Sequence, residues 1–290
     1  MLDLAALKNL LSQPRKIVIT THHKPDGDAM GSSLGLYNYL IQQGHHTQVI
    51  TPTDYPDFLA WIPGNENVII FTENLDKSAA LVAEAEIIFC LDFNTLSRIN
   101  ELGELVRASS AVKVMIDHHL EPEDFDDYRH WDINACASAQ LVYDFIANQL
   151  QNKALVNKDV ATCLYTGIMT DSASFRLPNT TPAVHRIAAD LIEAGAVNWH
   201  IHELVYSNSS ESRLNFLGHC LKDKLEVFYE YNTAIISVNK QELEQYDVIT
   251  GDTEGIVNYA LSITGIRLAA FIVERTDKVK LSLRSRGEFP

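Results

Sequence analysis

The residues of this sequence with the clearest chemistry are four groups of aspartate and histidine within its first 171 positions. Each group follows a short apolar run: His22 with Asp26 and Asp28, then Asp92, then Asp117-His118-His119, and last Asp171. Three of the runs have the length of buried strands, and the run before Asp171 suits a helix. Carboxylate oxygens and imidazole nitrogens are ligands of hard and borderline divalent cations. The four groups together predict a two-metal hydrolytic site.

The first group has a spacing that suits two cations. Gly27 separates Asp26 from Asp28, and two carboxylates one residue apart on a tight loop can each face a different ion. We expect Gly27 to supply the backbone angles of this turn and Pro25 to stiffen its entry. His22 is then able to join Asp26 on the first ion.

The other groups complete the predicted metal ligands. Asp92 is suited to bridge the two ions, and His118 and Asp171 are suited to complete the second ion. Because carboxylates outnumber imidazoles in this set, Mn²⁺ or Mg²⁺ is favoured over Zn²⁺. Two such ions lower the pKa of a bridging water and hold the oxygens of an in-line phosphoryl displacement. The predicted reaction is hydrolysis of a phosphoester or phosphoanhydride.

Two residues of the third group are available for roles beside the metals. His119 follows a predicted ligand, but its ring is able to contact the phosphate or to protonate the leaving oxygen. Asp117 either joins the ligands or orients a histidine through its ring nitrogen. We therefore predict that His119, Asp117 and Asp92 are catalytic.

Up to about residue 185 the sequence alternates short apolar runs with helix-type segments, which predicts an α/β fold with a doubly wound parallel sheet. The strand candidates are near-continuously apolar, as expected when both faces of a sheet are covered: 16–21, 47–51, 68–71, 86–91 and 112–116. The helix candidates are 29–43, 75–83, 101–109, 138–150 and 158–170. Ligands bind beyond the carboxyl ends of such strands, where His22, Asp92 and Asp117 fall.

The remainder of the sequence predicts a different organisation. A helical connector is expected, with Pro182 near a helix start and Gly195 as a break. A smaller α+β domain follows, with strands at 225–229, 233–238, 267–274 and 278–285 and a helix at 253–262. We therefore predict three parts: 1–185, 186–222 and 223–290.

The net charge of the chain limits the kinds of nucleic acid that it is predicted to bind. The formal net charge of −15 argues against binding to long DNA or RNA, but it does not exclude a short polyanion held by metal ions. Six of the eight charged residues between 267 and 286 are basic, a local balance of +4 (6 − 2). This stretch is either ordinary charge scatter or a phosphate-binding face.

Other sequence features concern the compartment of the protein. With 290 residues and no apolar run near ~18 residues, the chain is predicted to have no membrane span. His45 and His46 follow Gly44 between a helix and a strand, and we interpret them as surface turn residues. The four widely spaced cysteines form no CxxC pair and predict reduced thiols in the cytoplasm: Cys90, Cys136, Cys163 and Cys220.

These motifs resemble those of the DHH phosphoesterases, a family of the RecJ-like superfamily. The resemblance rests on four segments: 22–32 (HHKPDGDAMGS), 91–94 (LDFN) with Arg98 after it, the Asp117-His118-His119 triplet, and 167–176 (GIMTDSASFR). Their order and spacing are most similar to the branch that carries a DHHA1 domain, and within it to the nanoRNase / pAp phosphatase group. In the predicted second domain, 254–257 (EGIV) and 281–285 (LSLRS) resemble the DHHA1 pattern.

The resemblance implies a specific site and activity. It implies two Mn²⁺ ions, one held by His22, Asp26 and Asp92 and the other by Asp28, Asp92, His118 and Asp171. It places His119 at the phosphate. The implied substrate-binding residues are Arg98, Arg176, Arg284 and Ser285. The implied substrates are very short oligonucleotides, cut to 5′-mononucleotides, and 3′-phosphoadenosine 5′-phosphate (pAp), cut to AMP; a homodimer is left open.

The sequence departs from the family at one place. The family continues into a glycine-rich segment ending in Gly-Gly-Gly-His that helps to bind substrate, and this sequence ends at Pro290 without it. We expect either a longer natural chain or a site that lacks this segment. A cyclic dinucleotide phosphodiesterase and a catalytically silent nucleotide- or metal-binding protein are alternative functions. An inorganic pyrophosphatase is disfavoured by the pattern at 281–285.

Overall fold

The computed structural model of the chain describes residues 2–207, 209–249, 251–276 and 278–287. These residues form two compact units; the first ends at Val205 and the second begins at Tyr206. The division into 1–185, 186–222 and 223–290 stays a prediction. Asp277, which belongs to the basic stretch, and Pro290 lie outside the described residues.

The first unit is built on a six-stranded sheet whose paired strands are all parallel. In chain order the strands are β1 (Lys16–Thr21), β2 (His46–Thr51), β3 (Ile69–Ile70), β4 (Ile87–Leu91), β5 (Val112–Asp117) and β6 (Tyr128–Trp131). Their order in the sheet is β3-β2-β1-β4-β5-β6. The chain therefore proceeds outward on either side of the β1–β4 pair, and ligands bind at such a switch point.

Helices bury both faces of this sheet. Ile17 and Ile19 of β1 lie in one apolar core, and Val18 lies in a second core on the opposite face. In chain order the helices are α1 (Leu4–Leu10), α2 (Gly27–Gln42), α3 (Leu75–Glu84), α4 (Glu101–Ala108), α5 (Ser138–Asp144), α6 (Lys158–Asp171), α7 (Pro182–Glu193) and α8 (Asn198–Tyr206). The near-continuous apolar runs are explained by this double coverage, and the predicted α/β class is confirmed.

Helices α2 and α6 approach each other at backbone distance. A Cβ atom on Gly31 would lie 2.6 Å from the carbonyl oxygen of Cys163 and 2.7 Å from the amide of Gly167. Only a residue without a side chain fits there. The close approach fixes Asp28, at the start of α2, beside Asp171, at the end of α6.

The second unit contains a four-stranded mixed sheet with the order β10-β9-β8-β7. Its strands are β7 (Leu225–Phe228), β8 (Thr233–Val238), β9 (Leu268–Glu274) and β10 (Val279–Ser285), and its helices are α9 (Glu211–Asp223), α10 (Lys240–Gln245) and α11 (Ile256–Leu261). Phe271 and Val273 of β9 pack into one core with the buried faces of α9 and α11. On edge strand β10, Val279, Leu281 and Leu283 are exposed.

Two elements were not predicted, and one prediction was incomplete. The sequence of β6, Tyr-Arg-His-Trp, is too short and polar to stand out as an apolar run. Helix α10 is polar and rests on a capping box between Asn239 and Glu242. The helix predicted over 138–150 is α5 followed by a π-helical turn, Phe145–Gln149. Among the described helices, none has the length and apolar character needed to cross a membrane.

Candidate metal centre

The loop after β1 supplies two of the predicted ligands, His22 and Asp26. Asp26 is the N-cap of α2: its Oδ1 accepts hydrogen bonds from the amides of Asp28, at 3.0 Å, and Ala29, at 3.1 Å. His22 is buried, and its Nδ1–H donates to the carbonyl oxygen of His23 at 3.0 Å. Its Nε2 therefore faces the carboxylates, 3.8 Å from Asp26 Oδ1 and 3.5 Å from Asp92 Oδ2.

Asp92 lies at the centre of the cluster in an uncommon backbone conformation. Its φ is +64°, in the left-handed region that costs a residue with a side chain about 1–2 kcal/mol. Its amide donates to the carbonyl oxygen of Ile116 at 3.1 Å, and its Oδ1 accepts the hydroxyl of Ser138 at 2.9 Å. The buried carboxylate thus lies between His22 Nε2 and His118 Nε2, each 3.5 Å from one of its oxygens.

The Asp117-His118-His119 triplet gives each of its side chains a different partner. His118 Nδ1–H donates to the carbonyl oxygen of Ala135 at 3.2 Å, so its Nε2 faces Asp92 and lies 3.6 Å from Asp171 Oδ2. Asp117 is fully buried, and its Oδ1 accepts the Nδ1–H of His119 at 2.7 Å. Its Oδ2 also accepts the amide of His119 at 3.1 Å. Asp117 thereby orients the His119 ring and leaves its Nε2 unblocked by this pair.

Asp28 and Asp171 face the cluster from the helices. The Asp28 carboxylate accepts the first amides of α5, from Ser138 at 2.5 Å and Ala139 at 2.9 Å. A carboxylate at a helix N-terminus is stabilised by the helix dipole and by these amides. Ser138 was not among the sequence predictions, although its hydroxyl and amide bind two predicted ligands. Its link to Asp28 spans 110 residues of sequence, which no local pattern reveals.

The residues brought together at this edge fit divalent cations. Three groups have one ligand atom per residue and all of those atoms within 4.8 Å of one another: His22, Asp26 and Asp92; Asp28, His118 and Asp171; and Asp92, His118 and His119. Two ligand atoms, each about 2.1 Å from one cation, lie about 3–3.5 Å apart. The nitrogen-to-oxygen distances of 3.5–3.8 Å are close to that spacing. Both candidate histidines also donate Nδ1–H to a backbone carbonyl, as metal-ligating histidines commonly do.

The close packing of carboxylates and imidazoles shifts the pKa values of the residues in the cluster. Burial opposes charge on His22 and His118, but the neighbouring carboxylates, Asp92 above all for His118, outweigh it and raise each pKa to about 10. Burial and then Asp92 raise the pKa of Asp171 to about 7, and they raise that of Asp28 well above its ordinary value. Burial opposes the ionised form of Asp92, yet His118 and His22 lower its pKa. Divalent cations compete with these protons.

Fewer observations bear on the predicted substrate-binding residues than on the metal-type residues. The carbonyl oxygen of Arg98 accepts the amide of His23 at 2.8 Å, which holds the Arg98 backbone beside the first motif. Arg176 is exposed five residues after Asp171, and its Nε donates to the carbonyl oxygen of Ala173. Arg284 and Ser285 lie on β10, in the second unit. Their assignment to substrate stays a prediction, as does the division of the metal ligands.

One sequence argument gave the wrong reason for the right residue. Gly27 was expected to permit unusual backbone angles, but its φ is not positive. A Cβ atom there would lie 2.4–2.7 Å from the side chain of Thr170 in α6. The glycine is therefore needed because α6 passes close to the loop.

The four cysteines are free and buried, as expected for structural thiols.

Comparison with known proteins agrees with this geometry. Residues 16–168 match the family model described as DHH family, N-terminal domain. The chain is 33% identical over 272 residues to the bifunctional oligoribonuclease and PAP phosphatase NrnA of Thermus thermophilus, covering 93% of this chain and 76% of that protein. It is 26% identical over 280 residues to the Bacillus subtilis protein of the same name, covering 93% and 82%.

A solved structure extends the likeness to both units. The crystal structure of an exopolyphosphatase-related protein from Bacteroides fragilis superposes with a TM-score of 0.95 at 39% identity, over 99% of this chain and 84% of that chain. The matched family segment contains every candidate metal ligand except Asp171, which follows it by three residues. As the sequence motifs predicted, the chain belongs to the DHH family of phosphoesterases.

Proposed function

We propose that this chain is a two-metal phosphoesterase that releases 5′-mononucleotides from very short oligonucleotides and converts pAp to AMP. The observation that carries the proposal is the convergence of six ligand-type side chains at the β1–β4 switch point, beside a histidine oriented by a buried aspartate. The names of the Thermus and Bacillus relatives support the two substrates. The net charge of −15 favours short substrates over long duplexes.

The grouping of ligand atoms in the cluster supports the ligand sets that we propose. We assign His22, Asp26 and Asp92 to one cation and Asp28, Asp92, His118 and Asp171 to the other, with Mn²⁺ preferred and Mg²⁺ possible. Their four carboxylates outnumber the two imidazoles, and such a set of ligands suits hard divalent cations. When bound at these residues, two divalent cations would lower the pKa of a water molecule and hold phosphate oxygens.

The remaining residues act around these ligands. The Nδ1–H of His119 donates to Asp117. The Nε2 of His119 is therefore the atom that contacts the phosphate or the leaving oxygen. Ser138 holds the orientation of Asp92 through its hydroxyl. Arg98 and Arg176 are assigned to phosphate oxygens, and Arg284 and Ser285 to substrate. A cytoplasmic location and a homodimer stay predictions.

The test is turnover by metal-stripped protein with and without added Mn²⁺. The substrates are pAp, a dinucleotide and a cyclic dinucleotide, so that one experiment also tests the alternative cyclic dinucleotide phosphodiesterase. We expect Mn²⁺-dependent release of phosphate or mononucleotide, and a loss of about a thousandfold or more in Asp92→Asn. Asp76→Asn, which removes an exposed carboxylate on α3, is the matched control. Mn²⁺ binding with no turnover of pAp or the dinucleotide contradicts the proposal.

A further inference from the structure

Trp131 is attached to the candidate catalytic histidine from the neighbouring strand. It is the last residue of β6 and pairs with Asp117 of β5 in the sheet register. Its indole Nε1–H donates to the carbonyl oxygen of His119 at 2.7 Å. That bond fixes one edge of the indole beside His119, while 38% of the residue remains exposed.

The segment that receives this bond is held from its other side as well. The Nδ2 amide of Asn94, which follows β4, donates to the carbonyl oxygen of Leu120 at 2.7 Å. Two consecutive carbonyls, those of His119 and Leu120, are therefore bound by side chains from two different strand ends. The position of the indole relative to His119 is set by the sheet and not by a mobile loop.

Apolar side chains follow both strand ends at this edge. Leu120, directly after His119, is 68% exposed, and Ile133, two residues after Trp131, is 46% exposed. β5 and β6 are neighbouring parallel strands, so both residues leave the sheet at its ligand-binding edge. Both side chains add exposed apolar surface at the edge that carries the candidate metal centre.

We propose that the exposed face of Trp131 is a stacking position for the nucleobase of the nucleotide whose phosphate lies at His119. The inference rests on the proposed function, because it deepens the substrate of the same site. A base has an apolar face of the size of an indole and stacks on it without regard to sequence. A single stacking position therefore suits an enzyme that cuts short oligonucleotides of any sequence and also accepts pAp, while phosphates without a base gain nothing from it.

Indole fluorescence tests the stacking directly, because a stacked base quenches it. AMP is titrated into the full chain at a fixed Mg²⁺ concentration, with excitation where the nucleotide does not absorb. The chain has three tryptophans, Trp61, Trp131 and Trp199, so each can be replaced alone by phenylalanine. We expect quenching in the wild type, in Trp61→Phe and in Trp199→Phe, and its loss in Trp131→Phe. Equal quenching in all four proteins, or none in the wild type, overturns the proposal.

Kinetics separate stacking from a purely structural role of the indole. The substrates are pAp and ribose 3,5-bisphosphate, its counterpart without a base. Trp131→Leu is expected to raise the KM for pAp about 5- to 50-fold and to leave the KM for the sugar bisphosphate within about twofold. Trp131→Phe, which keeps a ring but loses the N–H, is expected to restore most of the KM.

The outcomes distinguish this inference from the function on which it rests. An equal loss on both substrates in Trp131→Leu would mean that the indole only positions His119, and the stacking proposal would fail while the phosphoesterase stands. Quenching by AMP without hydrolysis of any substrate would leave the stacking position intact and remove the proposed function. A urea midpoint for each variant shows that a kinetic loss is not a loss of folded protein.

Discussion

The two sheets of this molecule place their functional candidates in opposite environments. At the edge of the parallel sheet in the first unit, the candidate ligands are buried or half-buried, and the side chain of Asp26 is the most exposed of them. Most already have partners: Asp28 binds the amides of α5, Asp92 binds Ser138, and His118 binds a backbone carbonyl. On β10 of the second unit, Arg284 is exposed at the edge of a mixed sheet. The candidate ligands of the first unit are preorganised, whereas the position of the exposed Arg284 side chain depends on what binds to it.

The difference follows from how each sheet is covered. A parallel sheet buried on both faces has rigid strand ends, and side chains just beyond those ends keep fixed separations. The mixed sheet has a core on one face, while β10 exposes Val279, Leu281 and Leu283. We therefore expect substitutions of the metal-type residues and of the side chains that hold them to change the catalytic rate and metal affinity, and substitutions on β10 to change substrate affinity.

Among the residues that hold the site in place without belonging to the candidate ligands, Asp117 is expected to give the largest effect when it is replaced by asparagine. The buried carboxylate holds His119 by two hydrogen bonds, and an amide can accept only one of them without turning its NH₂ toward a donor. We expect kcat to fall about 100-fold or more, with bound Mn²⁺ unchanged because Asp117 belongs to none of the three groups. Asp132→Asn, an exposed carboxylate near the same edge, is the control. A wild-type kcat in Asp117→Asn would refute the orienting role.

Packing gives the next largest difference between the units. Gly31→Ala would place a methyl group 2.6 Å from the Cys163 carbonyl, so we expect the free energy of unfolding of the first unit to fall by about 3 kcal/mol. Gly218→Ala on α9 meets nothing within 4 Å, and alanine there should stabilise the helix by about 0.5–1 kcal/mol. Urea unfolding measures both. Equal stability of the two variants would mean that α2 and α6 do not touch as closely as described.

Some parts of the fold follow from local sequence, and others depend on residues that are distant along the chain. The strand ends at His22, Asp92 and Asp117 were predictable because each aspartate or histidine closes an apolar run. The bond from Asp28 to the start of α5 was not, because it joins residues that are distant in sequence and adjacent only after folding. Gly27 shows the same limit: its neighbour Thr170 lies 143 residues along the chain (170 − 27).

The two elements that were not predicted, β6 and α10, are those without an apolar run. β6 contributes Trp131 to the site, but its four residues include an arginine and a histidine and carry no alternation long enough to indicate a strand. Helix α10 had a usable signal, since Asn239 and Glu242 form a capping box over a polar helix. The first was unpredictable from local pattern, whereas the second was overlooked.

A moderate effect is expected from Ser138→Ala, which tests how far preorganisation depends on one hydroxyl. The Ser138 hydroxyl is buried and donates to Asp92, so its loss leaves the carboxylate free to turn. We expect Mn²⁺ affinity to fall about 10- to 100-fold, as for other groups that orient a metal ligand. Calorimetric titration of metal-stripped protein measures it, with the exposed Ser12→Ala as control. Unchanged affinity would show that the backbone at Asp92 suffices.

A smaller effect is expected from Arg284→Ala on β10. An exposed guanidinium that binds a phosphate in high dielectric contributes little, so KM for the dinucleotide should rise about 5- to 10-fold with kcat unchanged. Lys278→Ala removes a charge from the same stretch, just before β10, and serves as control. A fall in kcat with an unchanged KM would reverse the contrast between the two sheets.

The smallest effect concerns His45, which sharpens the contrast by showing how far burial extends in the first unit. The interpretation of His45 as a surface turn residue was wrong: it is 5% exposed, and its Nδ1 accepts the amide of Arg15 at 3.1 Å. Burial, with a smaller contribution from Arg15, lowers its pKa. The neutral ring is therefore favoured in the folded state, whereas the unfolded chain takes up a proton near pH 6.5. The stability that His45 contributes is present above that pH and is lost as the pH falls below it.

His45→Gln tests this sign, because glutamine does not titrate and its oxygen is able to accept the Arg15 amide. Between pH 7.5 and pH 5.5, two conditions chosen about one unit either side of the histidine pKa, we expect acid to lower the urea midpoint of the wild type relative to that of His45→Gln. The measurement is made in EDTA, so that metal binding does not contribute. His46→Gln, one residue further and exposed, should follow the wild type. An equal change in His45→Gln and the wild type would mean that the buried ring does not respond to acid.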